Sequence, residues 1–468
     1  MSETDRGLLA AEAERAASAP MRAPTRASRW KQALGLDFHV IVTLLFRGWT
    51  VIAGASMLIL LPLWLSPVQL GYHYTFASIL ALQIFFELGM NQVVTQITSH
   101  ELAHLEQLPD GALAGSAERL DRLTGLARLL RRWYSIAASL FAIVVGAVGL
   151  AFFSRNASSG TITWAGPWLL ICASTAGNLY LSPTLAMIEG AGRVGEVARL
   201  RLFQSIGGYA CTAAALACGA GLWASALMSS CALVGSALWL RRHGRMIDWL
   251  RRRAPATGAQ VDWRREILPF QWRIALSWIS GYFIFQLFTP MLFENQGAVE
   301  AGRFGMVLAI CNAIQSIGMS WIYSRSPQMA ASISRGEGRE LQRIFLGALK
   351  PSIAFTALAC VFLVLGVWGL NAAHVQLVHR LSSLPVIACL AMATVTNSLI
   401  FAFAVFMRSH KEEPMMMPSI VLAVTALAIA HWASRSSVEL TAELYLAATA
   451  LTSLPWSFFI FRRYWNRY

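Results

Sequence analysis

Four charged side chains stand out within the long apolar runs of the 468-residue chain: Arg47, Glu87, Arg273 and Arg325. A charge placed in hydrocarbon costs roughly 2.5–3.5 kcal/mol on insertion scales, so each needs a cavity, a partner or a route to the surface. Arg47 and Arg273 fall near the starts of the first and seventh runs, at comparable depths. Thr50 and Gly54 share a helical face with Arg47, and Ser277 and Ser280 share one with Arg273. Such faces suit a cavity or a helix contact better than lipid; the plainer alternative is that both guanidinium groups snorkel to nearby headgroups. Glu87 lies deeper. At helical spacing it continues a polar row of Gln83, Asn91 and Thr95, flanked by Gln92, Gln96 and Ser99. A carboxylate there would bind a coupling cation, relay a proton or position an arginine, or else form a buried ion pair with Arg47 that locks the first two helices together. Asn312 and Gln315 form a second polar row in the eighth run. Arg325 lies on the far side of that helix, where snorkelling explains it better.

Residues 100–104 read His-Glu-Leu-Ala-His, the pattern in which two histidines on one helical face bind zinc and the glutamate acts as a base. A third ligand is missing: Glu106 is only two residues past His104, and no later run offers an acid at membrane depth. A membrane zinc protease built on His100, Glu101 and His104 is therefore a remote alternative to a solvated helix end. Phosphate-cradling and dinucleotide fingerprints are also missing. The connections opposite the cation-rich ones are too short for the acid–base apparatus of a membrane glycosyltransferase or polymerase. The sequence thus implies neither a catalytic residue nor a cofactor nor a metal site, and the protein is not expected to be an enzyme.

The elements that position these residues follow from composition. Hydrophobic residues make up 56% of the chain, charged ones only 13%, and the mean hydropathy is +0.53, whereas soluble domains carry about 25% charged residues. Twelve apolar runs recur, at about 38–63, 72–97, 133–153, 164–186, 201–219, 222–240, 268–293, 303–327, 349–370, 384–407, 416–434 and 442–461. Hydrocarbon offers the backbone no hydrogen-bond partners, so runs this long must be helices. The fold expected is an all-α integral membrane protein of about 12 transmembrane helices. The seven cysteines all lie in these runs with no Cys-x-x-Cys pair, as packing residues would.

The net charge of +14 would suggest nucleic acid in a soluble chain. Here thirty-one of the 38 cations fall in the tail, the even-numbered connections and the C-terminus, and only Arg155, Arg303, Arg380 and Arg435 fall in the others. Because Lys and Arg are retained on the cytoplasmic side, both termini are expected to be cytoplasmic, with the bilayer rather than nucleic acid as the partner. Residues 1–36 are read as a mobile cytoplasmic tail without a signal peptide, 37–240 as an N-terminal six-helix lobe, 241–267 as an Arg-rich cytoplasmic linker and 268–468 as a C-terminal six-helix lobe. An internal repeat supports the division. Val68-Gln69-Leu70-Gly71 matches Val299-Glu300-Ala301-Gly302, and Ser135-Ile136-Ala137 with Gly146 and Gly149 is echoed by Ser352-Ile353-Ala354 with Gly366 and Gly369. Two lobes in the same orientation would form a parallel pseudo-repeat with a binding site between them.

The run Leu65-Ser66-Pro67-Val68-Gln69-Leu70-Gly71-Tyr72, the following Phe86-Glu87-Leu88-Gly89-Met90, the Gly190-Ala191-Gly192-Arg193 turn and the Val299-Glu300-Ala301-Gly302 element together resemble bacterial polysaccharide flippases of the O-antigen type. These belong to the multidrug/oligosaccharidyl-lipid/polysaccharide exporter superfamily. The resemblance implies a multi-pass protein of the bacterial inner membrane that serves polysaccharide or lipopolysaccharide biosynthesis. It would alternate between inward-open and outward-open states, moving an undecaprenyl-pyrophosphate-linked oligosaccharide between leaflets. A coupling ion, H+ or Na+, and the polysaccharide polymerase machinery are its implied partners. Under this reading Arg47 and Arg273 would grip the pyrophosphate by paired N–H donors, and Glu87, Gln83 and Asn91 would line the cavity. Multidrug or small-cation antiport is the alternative, although it would favour more acids in the runs, and a non-transporting envelope scaffold is a remoter one.

Overall fold

The computed structural model describes residues 38–468 apart from 109–111, 157–161, 259–260, 263–267, 411, 413 and 468; within helices, the side chains of 38–44, 47, 268–271, 273, 274, 376 and 377 are not described. Residues 1–36, expected to be a tail, lie outside the described residues, as do the side chains of Arg47 and Arg273. The chain is an all-α membrane protein. Nine helices are long and apolar enough to cross a bilayer, or ten when one bent pair counts as a single span. All twelve apolar runs are helical; the two outside this count are the first, of which only Gly48–Trp64 enters as a shorter apolar helix, and the fifth.

In chain order the helices are α1 (Phe38–Trp64), α2 (Pro67–Leu80), a bent stretch through Ile84–Glu87, and α3 (Met90–Leu102). A two-stranded antiparallel hairpin, β1 (Leu105–Gln107) and β2 (Leu113–Gly115), precedes α4 (Ala117–Asn156), α5 (Ala165–Gly190), α6 (Val194–Ala217), α7 (Ala224–His243) and the short α8 (Arg245–Arg252). The second half runs α9 (Leu268–Phe285), α10 (Phe288–Gln296), α11 (Ala298–Ser334), α12 (Gly338–Ala372), α13 (Leu384–Arg408), α14 (Met416–Trp432), α15 (Val438–Ala447) and α16 (Leu454–Trp465). A π-helical segment, Ala448–Ser453, joins α15 to α16. Several helices outrun their apolar cores, α4 and α12 by several turns at the Arg-rich end, because a charged helix continues freely once it has left hydrocarbon.

The halves meet away from the Arg-rich end. Ser66 starts α2 with a capping box: its Oγ accepts from the Gln69 N–H at 3.2 Å while its own N–H donates to Gln69 Oε1 at 3.0 Å, and Pro67 presets the first turn. One turn on, α2 crosses the start of α11 at Gly71 and Gly302. A Cβ on Gly71 would lie 1.9 Å from the Ala298 carbonyl oxygen, and one on Gly302 would lie 2.7 Å from the Gly71 nitrogen. Small residues are what allow helix backbones to touch in this way. Around the crossing, the Tyr72 and Phe153 rings close on Phe293 with centroids 5.0 and 5.5 Å apart, and Arg380 Nη1 donates to the Leu65 carbonyl at 3.0 Å. The outer part of α1 packs against the same stretch of α11, through Leu61 and Met306.

Two features differ from the sequence expectation. The second run is expected to be one helix, yet it breaks at Leu88 and Gly89, both left-handed (φ 50° and 68°), and bends by 40°. Leu88 caps the upper part and Gly89 starts α3. A leucine in this conformation costs roughly 1–2 kcal/mol, so packing on both sides must hold it. The seventh run is likewise interrupted, at Gln286–Leu287 between α9 and α10.

The Arg-rich connection expected between the lobes is folded against α4. Asp121, 1% exposed, is the anchor. Its carboxylate accepts from Arg253 Nη1 at 2.5 Å, from the N–H groups of Ala256, Thr257 and Gly258, and from the Thr257 hydroxyl. Arg128 donates to the carbonyls of Arg251 and Arg253, and Met246, Ile247 and Leu250 of α8 are buried. Asp121 lies about three turns before the apolar part of α4. There the Thr257 N–H, first among these donors, holds the carboxyl well below the usual range.

Candidate functional site

The break in the second span places Glu87 at the last residue of the upper part, half-buried, with Asn91 on the first turn of α3. Asn91 Nδ2 donates to Glu87 Oε1, and the Gln83 side chain donates to the same carboxylate. Thr95, one turn further, donates to the carbonyls of Asn91 at 3.0 Å and of Ala186 on α5 at 3.2 Å, tying α3 to α5. Three of the expected cavity residues, Glu87, Gln83 and Asn91, are thus one cluster. Its hydrogen-bonding capacity is not used up. Asn91 Oδ1 is buried and makes no hydrogen bond among the described residues, and neither does the fully buried hydroxyl of Tyr134 on α4, which lies within electrostatic reach of Glu87. Buried polar atoms without partners are costly, and water or a bound ion commonly satisfies them.

The alternative of an ion pair between Glu87 and Arg47 falls on a side chain outside the described residues. Helix α1 packs on α6 and α11, whereas the Ile84–Glu87 turn packs on α4 and α9. What Glu87's segment meets instead is the seventh span: the Phe85 ring stands 5.5 Å from Tyr282 and 6.0 Å from Phe283. The backbone of Arg273 lies one helical turn before Ser277 on α9.

Ser277 itself opens onto a cavity of about 380 Å³ between the break in the second span and the second half, lined by Ile84, Gln286, Asn397, Arg408 and Ser419 among others. Ile84, one turn before the first interruption, and Gln286, at the second, both line it, whereas Glu87, Gln83 and Asn91 are not among its lining residues. Helix interruptions leave backbone groups unpaired by their own helix, a geometry tolerated at membrane depth only against protein or a water-filled cavity. The π segment supplies a further lining residue, Ser453.

The second polar row does not join this cluster. Gln315 is buried with Nε2 unpaired among the described residues, Asn312 is exposed, and Arg325 is exposed near the Arg-rich end, donating to Gln328 at 3.1 Å. In the zinc-like motif, α3 ends at Leu102, so His104 lies beyond the helix, and Glu101 is committed to Arg122 at 2.8 Å and Arg119 at 3.5 Å. Among the described residues no three His, Cys, Asp or Glu side chains are placed to hold a metal ion. Sequence reasoning missed Tyr134, a tyrosine in an apolar run with nothing to single it out, and Arg408, which counted only as a cation beyond a helix end. It also missed the break itself, for which Gly89 within a polar row was the one available signal.

The fold is similar to that of several solved multi-pass transporters. The lipid II flippase MurJ in an inward closed conformation aligns with a TM-score of 0.61 at 10% identity, over 90% of this chain and 87% of that one. The inward-facing conformation of a multidrug resistance MATE family transporter of the MOP superfamily gives 0.55 at 11% identity, over 88% and 98%. A MATE protein in the straight conformation gives 0.53 at 13%, over 92% and 97%. No protein-family profile and no curated protein sequence matches the chain. At these identities the likeness is one of fold.

Proposed function

We propose that the protein is an alternating-access flippase, not an enzyme, that moves an undecaprenyl-pyrophosphate-linked oligosaccharide from the inner to the outer leaflet of the bacterial inner membrane, with both termini cytoplasmic. The observation that carries this reading is the half-buried Glu87–Asn91–Gln83 cluster. It sits at a strained helix break facing the seventh span, while the opposite end of the junction is closed by Gly71, Gly302 and the aromatic rings. A polar joint in the middle and a seal at one end suit two lobes, 37–240 and 268–468, that rock about each other. Two of the arginines within apolar runs, Arg47 and Arg273, supply the charge for a pyrophosphate, and the polar break offers partners for sugar hydroxyls. The fold shared with a lipid II flippase agrees with a lipid-linked cargo.

A second reading, antiport of a drug or small cation, has its own support. Glu87 with the unspent oxygens of Asn91 and Tyr134 makes an oxygen-rich pocket, and MATE proteins share the fold. Proteoliposomes holding a fluorescent lipid-linked oligosaccharide separate the two. Arg47→Ala with Arg273→Ala should abolish lipid translocation in correctly inserted protein, while Glu87→Gln should slow it and remove its dependence on an H+ or Na+ gradient. Translocation undiminished in the double arginine variant, or cation exchange without lipid movement in the parent, overturns the flippase reading.

A further inference from the structure

A groove of about 500 Å³ opens between α6 and α7 at the Arg-rich end, well apart from the Glu87 cluster. Arg199 and Arg242 stand at its mouth, beside His243. Neither guanidinium makes a hydrogen bond or ion pair among the described residues; Arg199 lies only over the Phe203 ring, 5.7 Å from its centroid. The one acid in the lining, Glu196, is already neutralised by Arg193, through Nη2 at 2.6 Å and Nε at 2.8 Å. Arg193 in turn lies 5.8 Å from the Trp239 ring, on which His243 stacks. The lining therefore carries two guanidinium groups with no hydrogen bond or ion pair among the described residues, Arg199 over the Phe203 ring and Arg242 on the facing helix. Away from the mouth, the walls turn apolar without closing: Phe203 is 59% exposed and Leu238 55%, and Ile206 and Val234 continue the same two faces toward the middle of the span.

We infer that this groove binds an anionic phospholipid of the surrounding leaflet, its phosphate between Arg199 and Arg242 and an acyl chain along Phe203 and Leu238. Charge and shape both argue for a lipid. Two guanidinium groups match a phosphate in pairs of N–H donors, basic pockets between spans at the cytoplasmic surface are suited to acidic headgroups, and a free phosphate would have no use for the exposed apolar wall. The trough also lies on the face that the cation distribution assigns to the cytoplasm, where an acidic leaflet would meet it.

The test is a lipid titration of the purified full chain in detergent, read by native mass spectrometry with phosphatidylglycerol, phosphatidylcholine and inorganic phosphate as separate probes. Phosphatidylglycerol should be retained in preference to phosphatidylcholine. Arg199→Gln with Arg242→Gln should weaken that retention about tenfold, while Arg335→Gln with Arg339→Gln, equal in charge but remote, should not. Unchanged retention in the first pair, equal loss in the second, or displacement of the phospholipid by millimolar phosphate overturns the proposal. If the glutamine pair yields no monodisperse protein, Arg199→Lys with Arg242→Lys is read instead. It keeps the charge but loses the paired donors, so retention should fall by a few fold, and no change overturns the site.

Discussion

The two halves of the chain are held together at their Arg-rich ends by different means. In the first half the work is electrostatic: Asp121 gathers a loop's N–H groups and Arg253, and Glu101 gathers Arg119 and Arg122. In the second half aromatic packing dominates, beside Glu412, which pairs with Arg467 at 3.5 Å and accepts from the Tyr464 hydroxyl. Phe345 is fully buried with ring centroids 4.8 Å from Phe406 and 5.4 Å from Phe461, and Phe403 stacks on Phe461 at 4.4 Å. A second contrast runs through the repeated glycines. Gly149 on α4 lets the buried Trp168 ring lie against the backbone, where a Cβ would come within 2.1 Å of it, and the indole Nε1 donates to the Gly146 carbonyl at 3.1 Å. Their counterparts Gly366 and Gly369 face open space. Gly149 thus marks a tight contact in one half where Gly366 and Gly369 leave an open face in the other, while each half has an acid at its Arg-rich end, Asp121 in the first and Glu412 in the second.

That contrast can be broken at its strongest point first. Phe345→Ala should destabilise the protein by about 3–5 kcal/mol, seen as a lowered midpoint of thermal unfolding in detergent, while the accessibility of the Asp121-anchored loop stays at the parental level. Gly149→Ala should cost about 1–3 kcal/mol by overpacking against Trp168, with a matching fall in the same midpoint. Asp121→Asn should leave the bulk of the protein folded but free the loop, so that trypsin cuts after Arg251, Arg252 or Arg253 many times faster than in the parent; equal cutting rates would show that the loop is held by α8 alone.

The anchored loop also has a pH signature. The Asp121 carboxyl is held below its ordinary value, so its contribution is complete above about pH 4, the usual aspartate range. It is lost only as pH falls through the lowered folded value. Proteolytic protection of the loop should therefore be flat from pH 8 to pH 5, checked with a protease active across that window. The smallest effect belongs to Gly369→Ala, expected to stabilise by up to about 1 kcal/mol because a helical glycine in open space gains from a Cβ. A loss of stability there would mean that the face is covered.

The helical membrane fold was legible because hydrocarbon leaves the backbone so few options. Glu87, Gln83 and Asn91 were legible as a set for a related reason: a polar row at helical spacing has no place against lipid. What surrounds them was not. A kink through two left-handed residues depends on Leu88 being held by its neighbours, and no periodicity reports that. Asp121 read as one more charge in a hydrophilic connection, since its donors are backbone N–H groups that any residues would supply. The crossing of α2 and α11 was not legible: Gly71 and Gly302 read only as members of matching strings, with nothing to say that they meet.

That crossing has the character of an isologous interface, in which a surface is its own complement. Under the proposed repeat, Gly71 and Gly302 are the same position met twice. A six-helix ancestor pairing with its own copy would have placed this glycine against itself, so one substitution would have struck both sides of the joint. Fusion into a single chain removes that constraint and lets each side drift separately. The backbone contact at this crossing, nitrogen and carbonyl within the reach of a single methyl group, leaves no room for a side chain on either side.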